Sequence, residues 1–275
     1  MKYRKFGKTE LSVSILGYGA FALGGSGWPE TNEKEALLTL ETAFENGINF
    51  FDTAPAYGKG RSEELLGDVL KGVRKDIIIA TKCGVFWNED GKTYKNLSPD
   101  QIFFDIEGSL KRLKTDYIDL YQIHWPDHKT PLQDTFRVLK KLKKEKVIKY
   151  IGVSNFHLPL LGKACRICSI DSIQNQYNLL NREAEKDIIP FCRKNHIAFI
   201  PYSPLAQGLL TGKFTEEFNV PYGHVREHNP LFKNPVRYSD AVKKIRHFQQ
   251  PVVKTSIHFL LSCDIIPTVI ISCTD

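Results

Sequence analysis

Short apolar runs alternate with longer amphipathic stretches along most of the chain. The apolar runs have the length of β-strands, and the stretches between them show the three- and four-residue apolar spacing of helices. The apolar runs occupy residues 13–16, 48–51, 77–81, 117–123, 147–153, 172–176, 197–202 and 268–271. Because strand and helix alternate strictly and the composition does not change, we predict a parallel α/β barrel of the (β/α)8 TIM type, as a single domain over residues 1–275.

The first part of the chain carries clear start and stop signals. Apolar positions on both sides of a Gly-Lys turn predict an N-terminal β-hairpin over residues 3–14. Residues 33–46 have helical spacing and stop at Gly47, a residue that suits a helix C-terminus because it adopts positive φ angles without strain. The next helix is predicted to begin near Ser62, whose hydroxyl group could satisfy its first amides together with Glu64.

The composition is that of an ordinary globular protein with a positive charge. Of the 275 residues, 42% are hydrophobic and 25% are charged, and the formal net charge is +7. The densest basic run, residues 140–149, also has spaced apolar positions, which predicts a solvated helix face that leads into a strand. Because no nucleic-acid-binding motif accompanies this charge, we predict no nucleic-acid partner. The charge would instead suit a polyanionic cofactor. No signal peptide or membrane-length apolar stretch is visible, so we expect no membrane partner and a cytoplasmic location.

The six cysteines are scattered, as is typical of reduced thiols in the cytosol. They are Cys83, Cys165, Cys168, Cys192, Cys263 and Cys273. Cys165 and Cys168 form a C-x-x-C pair, but no second cysteine pair or histidine pair accompanies them, so we favour helix packing and predict no metal. Two interpretations stay open for Cys83: the adjacent Lys82 would lower the pKa of the thiol and favour oxidation, whereas burial would leave the thiol inert.

The stretch NFFDTAPAYGKGRSEELLG at residues 49–67 joins an apolar run to a turn-rich loop and the start of a helix. Its apolar residues end at Asp52, and Tyr57 follows on the loop. Strand tips and the loops above them form the face where parallel α/β barrels keep their sites. Taken alone, however, an aspartate at a strand end is a common turn or capping residue, and a loop tyrosine is commonly a packing residue.

Two further polar residues stand at the ends of apolar runs. Lys82 directly follows the run at 77–81, and His124 directly follows the run at 117–123. If these strands are parallel neighbours of the strand that ends in Asp52, the three side chains reach the same rim, with the tyrosine loop above them. Each of these residue types is used in proton-transfer chemistry.

With these four residues, the chain resembles the aldo-keto reductase family. The phrases that carry the resemblance are FDTAPAYG, RSEELLG, SLKRLKTDYIDLYQIHWPD, IGVSNF and PYSPLAQGLLTGK. The resemblance extends from Lys2 to about Leu261. The phrases QYNLLNREAEK and GLLTGK make the chain most similar to bacterial cytosolic members of the family. It implies an NADPH-dependent enzyme, with NAD possible, that interconverts small-molecule aldehydes or ketones and alcohols. It also implies that the N-terminal hairpin closes the bottom of the barrel.

The resemblance assigns catalytic roles to Asp52, Tyr57, Lys82 and His124, and their chemistry suits those roles. Reduction of a carbonyl requires a hydride at carbon and a proton at oxygen, and Tyr57 is the natural proton donor. An unperturbed tyrosine has a pKa near 10, so we expect Lys82 to lower it by ~2 units, or roughly 2.7 kcal/mol, while Asp52 fixes the ammonium. His124 can hold the carbonyl oxygen and stabilise the charge that grows there.

The resemblance also assigns residues to the cofactor. Ser154, Asn155 and Gln176 match positions that hold the nicotinamide carboxamide, and Tyr202 matches the ring that stacks on the nicotinamide. The loop after the seventh strand matches the pyrophosphate loop, in which Gly208 would let backbone amides approach oxygen closely. The full set is Gly19, Ala20, Phe21, Asp52, Ser154, Asn155, Gln176, Tyr202, Ser203, Pro204, Leu205, Gln207, Gly208 and Leu210. No G-x-G-x-x-G opens a strand-helix-strand unit, so a Rossmann site is not expected.

Three tryptophans are predicted to lie on rim loops and to line an apolar substrate pocket, although packing is an equally common role for a loop indole. They are Trp28, Trp87 and Trp125. The loops expected to set specificity are residues 24–30, 86–97 and 214–235, and the last is long enough to act as a lid. Nothing in these loops fixes the substrate.

The C-terminal end departs from the family pattern. After the predicted eighth strand, residues 268–271, the sequence lacks the Pro-Gly, the basic residue for the adenosine 2′-phosphate and the final helix. We therefore expect the final helix to be missing, one side of the eighth strand to expose apolar surface, and homo-oligomers to be possible. The expectation that NADP is preferred over NAD rests only on the cofactor that is usual in this family. An alternative stays open, in which a catalytically weakened barrel serves as a nucleotide-sensing or scaffold subunit.

Overall fold

The computed structural model describes residues 1–25, 33–88, 90–248 and 251–272 of the chain. Within them the strands are β1 (Tyr3–Lys5), β2 (Ser12–Ser14), β3 (Leu16–Gly19), β4 (Phe50–Asp52), β5 (Ile78–Cys83), β6 (Val85–Trp87), β7 (Thr93–Lys95), β8 (Ile118–Ile123), β9 (Ile148–Ser154), β10 (Ser172–Gln176), β11 (Ala198–Tyr202) and β12 (Val269–Ile271). The helices are α1 (Glu33–Glu45), α2 (Arg61–Leu70), α3 (Pro99–Leu113), α4 (Leu132–Lys144), α5 (Leu158–Ile167), α6 (Ile188–Asn195), α7 (Pro230–Lys233), α8 (Pro235–Arg246) and α9 (Val252–Leu261). In these ranges, no helix combines the length and the apolar character needed to cross a bilayer.

Eight of the described strands form one parallel sheet that curls into a nearly closed barrel. Their order is β11, β10, β9, β8, β5, β4, β3 and β12. Between the two end strands, the backbone N–H of Phe199 donates to the carbonyl of Ile265, just before β12. Helices separate the successive barrel strands, which confirms the predicted (β/α)8 TIM barrel.

Side chains alternate between the inside and the outside of the barrel along each strand. The inward residues Phe50, Ile78, Leu120 and Ile200 belong to one buried apolar cluster. Phe6, in the connection of the antiparallel β1–β2 hairpin, belongs to the same cluster and stacks on Phe50 with ring centroids 5.8 Å apart. The predicted hairpin is therefore present, and its connection inserts an aromatic ring into the apolar interior.

The basic run at 140–149 illustrates how the outer layer is built. Residues 140–144 end α4 and residues 148 and 149 begin β9, as predicted, and α4 buries one face that includes Phe136, Leu139 and Leu142. Burial of each such side chain contributes roughly 1.5–3 kcal/mol. The lysines occupy the opposite face, where Lys141 lies near Glu145 at 4.0 Å in an exposed pair. The lysines of α4 thus form a largely solvated helix surface, whereas Lys149 of β9 pairs with the buried Asp119.

Helix α2 begins close to the predicted position, but Ser62 does not cap it. Ser62 lies inside the helix, which begins at Arg61, and its hydroxyl group donates to the carbonyl of Ala20 and bonds the hydroxyl of Thr53, each at 2.8 Å. Glu64 pairs with Arg61 at 3.1 Å. The capping prediction is wrong because the Ser62 side chain turns inward, where it ties α2 to the ends of β3 and β4.

The eighth barrel strand, β12, is covered on both faces. Val269 is fully buried in the same apolar cluster as Leu260 of α9, and Ile270 is 8% exposed and belongs to the interior cluster. The expectation of exposed apolar surface is wrong for these two residues, since α9 packs on the outer face and the barrel interior on the other. The predicted oligomer stays a prediction.

Candidate active site at the C-terminal rim of the barrel

The inward face of the barrel becomes polar at the C-terminal ends of its central strands. Asp52 ends β4, and Lys82 lies on β5 in the same inward alternation as Ile78. Both side chains are buried and form an ion pair with an Nζ to Oδ1 distance of 2.7 Å. The same ammonium donates to the carbonyl of Thr53 at 2.9 Å and to the Tyr57 hydroxyl oxygen at 3.2 Å. These three contacts use all the donors that a lysine has.

Two glutamines that the sequence analysis missed hold the second oxygen of Asp52. Nε2 of Gln174, on β10, donates to Oδ2 at 2.9 Å, and Nε2 of Gln122, on β8, donates to it at 3.3 Å. A buried carboxylate needs such partners because leaving it unpaired would be strongly destabilising. The alternation within each strand was the available signal, since a polar side chain at an inward position requires a specific partner.

Tyr57 lies over this ion pair on a loop whose backbone requires glycine. Gly58 and Gly60 have φ angles of 61° and 95°, a region that glycine enters without strain. A Cβ atom at Gly58 would also collide with the backbone of Gly24. The Tyr57 ring packs edge-on against Phe21, with centroids 5.0 Å apart. The loop therefore holds the phenol oxygen within reach of the buried ammonium.

Burial controls the proton affinity of Tyr57. It raises the pKa of the phenol above 10.0, while the Lys82 ammonium lowers it and the Asp52 carboxylate raises it. The expectation that Lys82 brings the pKa of Tyr57 below its usual value is therefore wrong for this structure, because burial outweighs the cation. Burial also disfavours the Lys82 ammonium, but Asp52 and Tyr57 more than offset this, so the pKa of Lys82 is raised.

His124 directly follows β8 and faces Tyr57, with ring centroids 5.7 Å apart and planes at 80°. Its carbonyl accepts from Nδ2 of Asn155 at 3.0 Å. Burial, and then the positive charges of Lys82 and Lys95, lower the pKa of His124 well below its usual value, so the ring is neutral at pH 7. Its Nδ1 atom is buried and has no hydrogen-bond partner among the described residues. The four predicted catalytic side chains thus come together at one rim.

The end of β3 places three of the predicted cofactor residues beside the ion pair. Gly19 is the register partner of Asp52, and its carbonyl accepts from the hydroxyl of Ser272 at 2.5 Å. The backbone N–H of Ala20 donates to the carbonyl of Asp52 at 2.8 Å. Phe21 follows and supplies the ring that packs on the tyrosine. This strand end therefore forms one wall of the site.

The predicted nicotinamide residues lie on the other side, at the ends of β9, β10 and β11. The Tyr202 hydroxyl donates to Oδ1 of Asn155 at 2.9 Å, and Oγ of Ser154 donates to the carbonyl of Gln174 at 2.8 Å. Burial raises the pKa of Tyr202 to about 12. Gln176 is half-buried at the tip of β10, two residues beyond Gln174 on the same face of the strand.

The loop after β11 has a left-handed backbone at several non-glycine residues. The φ angles of Ser203, Ala206 and Gln207 are 50°, 49° and 55°. Such conformations cost of order 1–3 kcal/mol each and cluster at ligand clamps and other functional sites. Gly208 itself has a φ angle of 95°, and its N–H donates to the carbonyl of Leu205 at 2.9 Å, so this amide is engaged within the loop.

The remaining residues of that loop anchor it. Pro204 is buried, and Leu210 is buried in an apolar cluster with Tyr238 of α8, so the Leu210 side chain faces the protein interior. The guanidinium of Arg226 lies 5.0 Å from the Phe214 ring, and its Nε donates to the carbonyl of Gln207 at 2.8 Å. The segment predicted as a lid therefore packs directly on this loop.

The predicted pocket tryptophans have different surroundings. Trp28 lies outside the described residues. Trp87 ends β6, which pairs with β7 in a hairpin where a loop was predicted, and its Nε1 donates to the carbonyl of Ala56 at 2.8 Å, one residue before Tyr57. Trp125, the residue after the site histidine, is 38% exposed. The β6–β7 hairpin thus braces the loop that carries the tyrosine.

The cysteines that the structure describes add no reactive group to this site, and Cys273 lies outside the described residues. Cys83 is buried, and burial, followed by the charge of Asp105, raises the pKa of its thiol well above the usual value. This supports the interpretation that the thiol is inert. Cys165 lies in α5 and Cys168 at its C-terminal cap. Within the described ranges, no group of three or more histidine, cysteine, aspartate or glutamate side chains is arranged to hold a metal ion.

The fold and the buried lysine-carboxylate-phenol group define a class of protein, the parallel α/β barrels with an ionisable site at the C-terminal rim. Residues 15–262 match the sequence model of the Aldo/keto reductase family. The chain is 39% identical over 249 residues to the aldo-keto reductase YhdN of Bacillus subtilis, covering 89% of this chain and 75% of the relative. It is 38% identical over 238 residues to the NADH-specific methylglyoxal reductase of Escherichia coli, covering 81% and 73%.

A solved structure agrees with these sequence matches. The glycerol dehydrogenase AKR11B4 from Gluconobacter oxydans superposes with a TM-score of 0.89 at 30% identity, over 97% of this chain and 85% of that one. The chain therefore belongs to the aldo/keto reductase family. It is an oxidoreductase that acts on small molecules.

Proposed function

We propose that the chain interconverts an aldehyde or ketone and the corresponding alcohol, with NADPH as the preferred cofactor and NADH as a possible one. One observation carries this proposal: the Lys82 ammonium joins Asp52 at 2.7 Å to the phenol oxygen of Tyr57 at 3.2 Å. A buried cation that touches a phenol at the open end of a barrel controls where the phenolic proton resides.

Tyr57 is the general acid of reduction and the general base of oxidation. Its raised pKa keeps the phenol protonated at neutral pH, the form that reduction requires. When the proton leaves, the Lys82 ammonium stabilises the phenolate that remains, and the ion pair with Asp52 keeps the ammonium in position. Proton transfer to the substrate oxygen therefore takes place next to a fixed positive charge.

His124 positions the substrate oxygen opposite Tyr57. The imidazole is neutral and carries one N–H, and its Nδ1 atom is buried, so we assign Nε2 as the atom that meets the substrate. A carbonyl oxygen between the two rings would accept hydrogen bonds from the phenol and from the imidazole. Two donors that converge on one oxygen stabilise the negative charge that develops there.

A nicotinamide, when bound, supplies or accepts the hydride. Ser154, Asn155 and Gln174 offer polar groups for its carboxamide, and Tyr202 offers a ring for its face. We add Gln174 to the predicted Gln176. The side chain of Gln174 bonds Asp52 and so lies beside the catalytic group, whereas Gln176 lies two residues further along, at the strand tip. The other cofactor residues keep the roles that the sequence predicts.

The strained backbone after β11 supports a pyrophosphate site there, since left-handed non-glycine residues cluster where a ligand is clamped. NADPH is preferred because of the family resemblance and because a net charge of +7 suits its additional phosphate. NADH stays a candidate because one relative is named as NADH-specific. We also propose a cytoplasmic location, which is supported by the free thiols of the cysteines that the structure describes.

Titration with NADPH and, separately, with NADH tests this proposal, with quenching of tryptophan fluorescence as the signal. Micromolar binding, tighter for NADPH, followed by turnover of an aldehyde in a substrate screen, is the expected result. Absence of binding to either nucleotide by folded protein would contradict it and would favour the scaffold alternative. If NADH bound more tightly than NADPH, the proposed reaction would stand and the proposed cofactor preference would be reversed.

A further inference from the structure

Two lysines flank the site, and each ammonium lies against an indole ring. Lys59 follows Tyr57 by two residues, and its Nζ is 5.9 Å from the ring centroid of Trp87. Lys95 ends β7, and its Nζ is 4.3 Å from the ring centroid of Trp125, the residue after the site histidine. Both lysines are exposed. Each ammonium thus lies over an indole, and each pair includes a residue close in sequence to Tyr57 or His124.

No carboxylate in the described part of the chain forms an ion pair with either lysine. Asp127, which lies beside Trp125 in sequence, accepts hydrogen bonds from the backbone N–H of Leu97, the backbone N–H of Lys129 and the hydroxyl of Thr130. Asp90, in the connection between β6 and β7, accepts from Nδ2 of Asn88. These two carboxylates thus have other partners, and the ammonium charges of Lys59 and Lys95 can attract an anion.

The interior of the site does not offset these charges. Asp52 and Lys82 neutralise each other at 2.7 Å, and the neutral imidazole of His124 contributes no charge. The positive charge of Lys95 acts on the site itself, because this charge is one of the causes that lower the pKa of His124. Among the described residues, the mouth of the site is therefore electropositive, which attracts negatively charged substrates.

We propose that the preferred substrates are carbonyl compounds that carry a negatively charged group, a carboxylate being the simplest, and that Lys59 and Lys95 bind that group. This inference rests on the proposed function and names its substrate class. The indoles hold each ammonium without neutralising it, so less side-chain freedom is lost when the anion binds. The same rings give the carbon skeleton of the substrate an apolar wall.

A matched pair of aldehydes tests the proposal. The probes are 4-carboxybenzaldehyde and its methyl ester, methyl 4-formylbenzoate, which share the ring and differ in charge. The measured quantity is the ratio of kcat/KM for the acid to kcat/KM for the ester. We expect a ratio well above one in the wild type and an approximately tenfold smaller ratio in the double variant Lys59→Met with Lys95→Met. Raising the ionic strength to about 1 M, where the Debye length is about 3 Å, should lower the wild-type ratio.

Lys163→Met is the control for a change of net charge away from the site, because it removes a positive charge from an exposed position on α5. Its ratio should equal that of the wild type. An unchanged ratio in the double variant, or a wild type that uses the ester as well as the acid, would overturn the proposal. Because a ratio is measured for each variant, a partial loss of folded protein does not alter the result.

Binding of the alcohol product separates a failure of this proposal from a failure of the proposed function. Quenching of tryptophan fluorescence by 4-carboxybenzyl alcohol and by its methyl ester compares the charged and uncharged products without turnover. Tighter binding of the acid, lost in the double variant, would support the lysine site even if no aldehyde were reduced, and the reaction alone would then be wrong. Equal binding of the two alcohols would overturn the lysine site.

Discussion

Asp52 and Asp119 are both buried and both paired with a cation, yet their surroundings differ. Asp119 lies near the N-terminal end of β8, where one oxygen forms an ion pair with Nη2 of Arg74 at 2.8 Å and accepts a hydrogen bond from the backbone N–H of Ile79 at 3.0 Å. Its other oxygen accepts from the Lys149 ammonium at 2.8 Å. Arg74 also donates to the carbonyl of Tyr117 and lies over the Tyr117 ring. Each charged group there has strong partners, and the group ties β5 to β8.

The group around Asp52 differs because some of its polar atoms can still form hydrogen bonds with a ligand. The carboxylate is fully bonded, but its cation also touches a phenol, and the phenol faces a histidine whose buried Nδ1 lacks a partner among the described residues. A buried ion pair by itself therefore does not identify a site, because such pairs also occur as parts of the framework. What marks the Asp52 group is its position at the C-terminal rim, together with donors that a substrate can still engage.

Tyr57→Phe would break the proposed function most severely. It keeps the ring that packs on Phe21 and deletes the proton that the substrate oxygen needs, so kcat/KM should fall by about a thousandfold or more, roughly 4 kcal/mol. Steady-state kinetics measures this loss. Fluorescence titration should give nearly unchanged cofactor affinity, and denaturant unfolding should confirm a folded variant. Turnover close to that of the wild type would refute the role of Tyr57.

Arg74→Met tests the framework side of the comparison. It removes the more deeply buried of the two cations that pair with Asp119, so the free energy of unfolding should fall by about 3 kcal/mol, measured by denaturant titration. Turnover per folded molecule should change little. Lys149→Met is the matched control, since it contacts the same carboxylate from a position that is 46% exposed, and exposed pairs contribute about 0–1 kcal/mol. Equal losses in the two variants would contradict the distinction.

The comparison explains which parts of the site could be predicted from sequence. Asp52, Lys82 and His124 end apolar runs, and the strict alternation of parallel strands brings such ends to one rim, so sequence order was sufficient. Gln122 and Gln174 were missed because their partner, Asp52, lies on another strand, and the alternation that turns them inward does not show which group they contact. The pKa of Tyr57 was misjudged because charges are visible in a sequence whereas the depth of burial is not.

Loop structure was the other element that sequence reasoning missed. The pairing of β6 with β7 was not predicted, because three-residue strands carry little periodic signal. Ser62 was predicted as a helix cap, but the helix begins before it and its hydroxyl reaches Thr53 and Ala20, which are neighbours only in the fold. Barrel strands and the order of the helices follow from local patterns, whereas these contacts depend on packing between elements.

Trp87→Phe sharpens the comparison by testing the support of the Tyr57 loop. The change keeps an aromatic ring and removes the Nε1 donor that bonds the carbonyl of Ala56 at 2.8 Å. Loss of one such bond should loosen the loop and lower kcat by about tenfold, since small misplacement of a catalytic group reduces the rate strongly. Trp125→Phe is the control and should lower kcat less, because Trp125 forms no hydrogen bond with this loop within the described residues. Stopped-flow kinetics at saturating cofactor measures both, and the reverse order would exclude the brace.

The smallest predicted effect is the response of reduction to pH near neutrality. Reduction needs protonated Tyr57, whose pKa lies above 10.0, and an uncharged His124, whose pKa lies well below 6.5. Both groups therefore keep the required form from about pH 7 to about pH 9, so kcat/KM for reduction should stay constant there and fall only as pH approaches the pKa of the phenol. Oxidation needs the phenolate and should instead rise with pH over the same range. A pH profile with a neutral aldehyde and saturating cofactor checks both directions, and an inflection in reduction near pH 7 would mean that the phenol is not held protonated by burial.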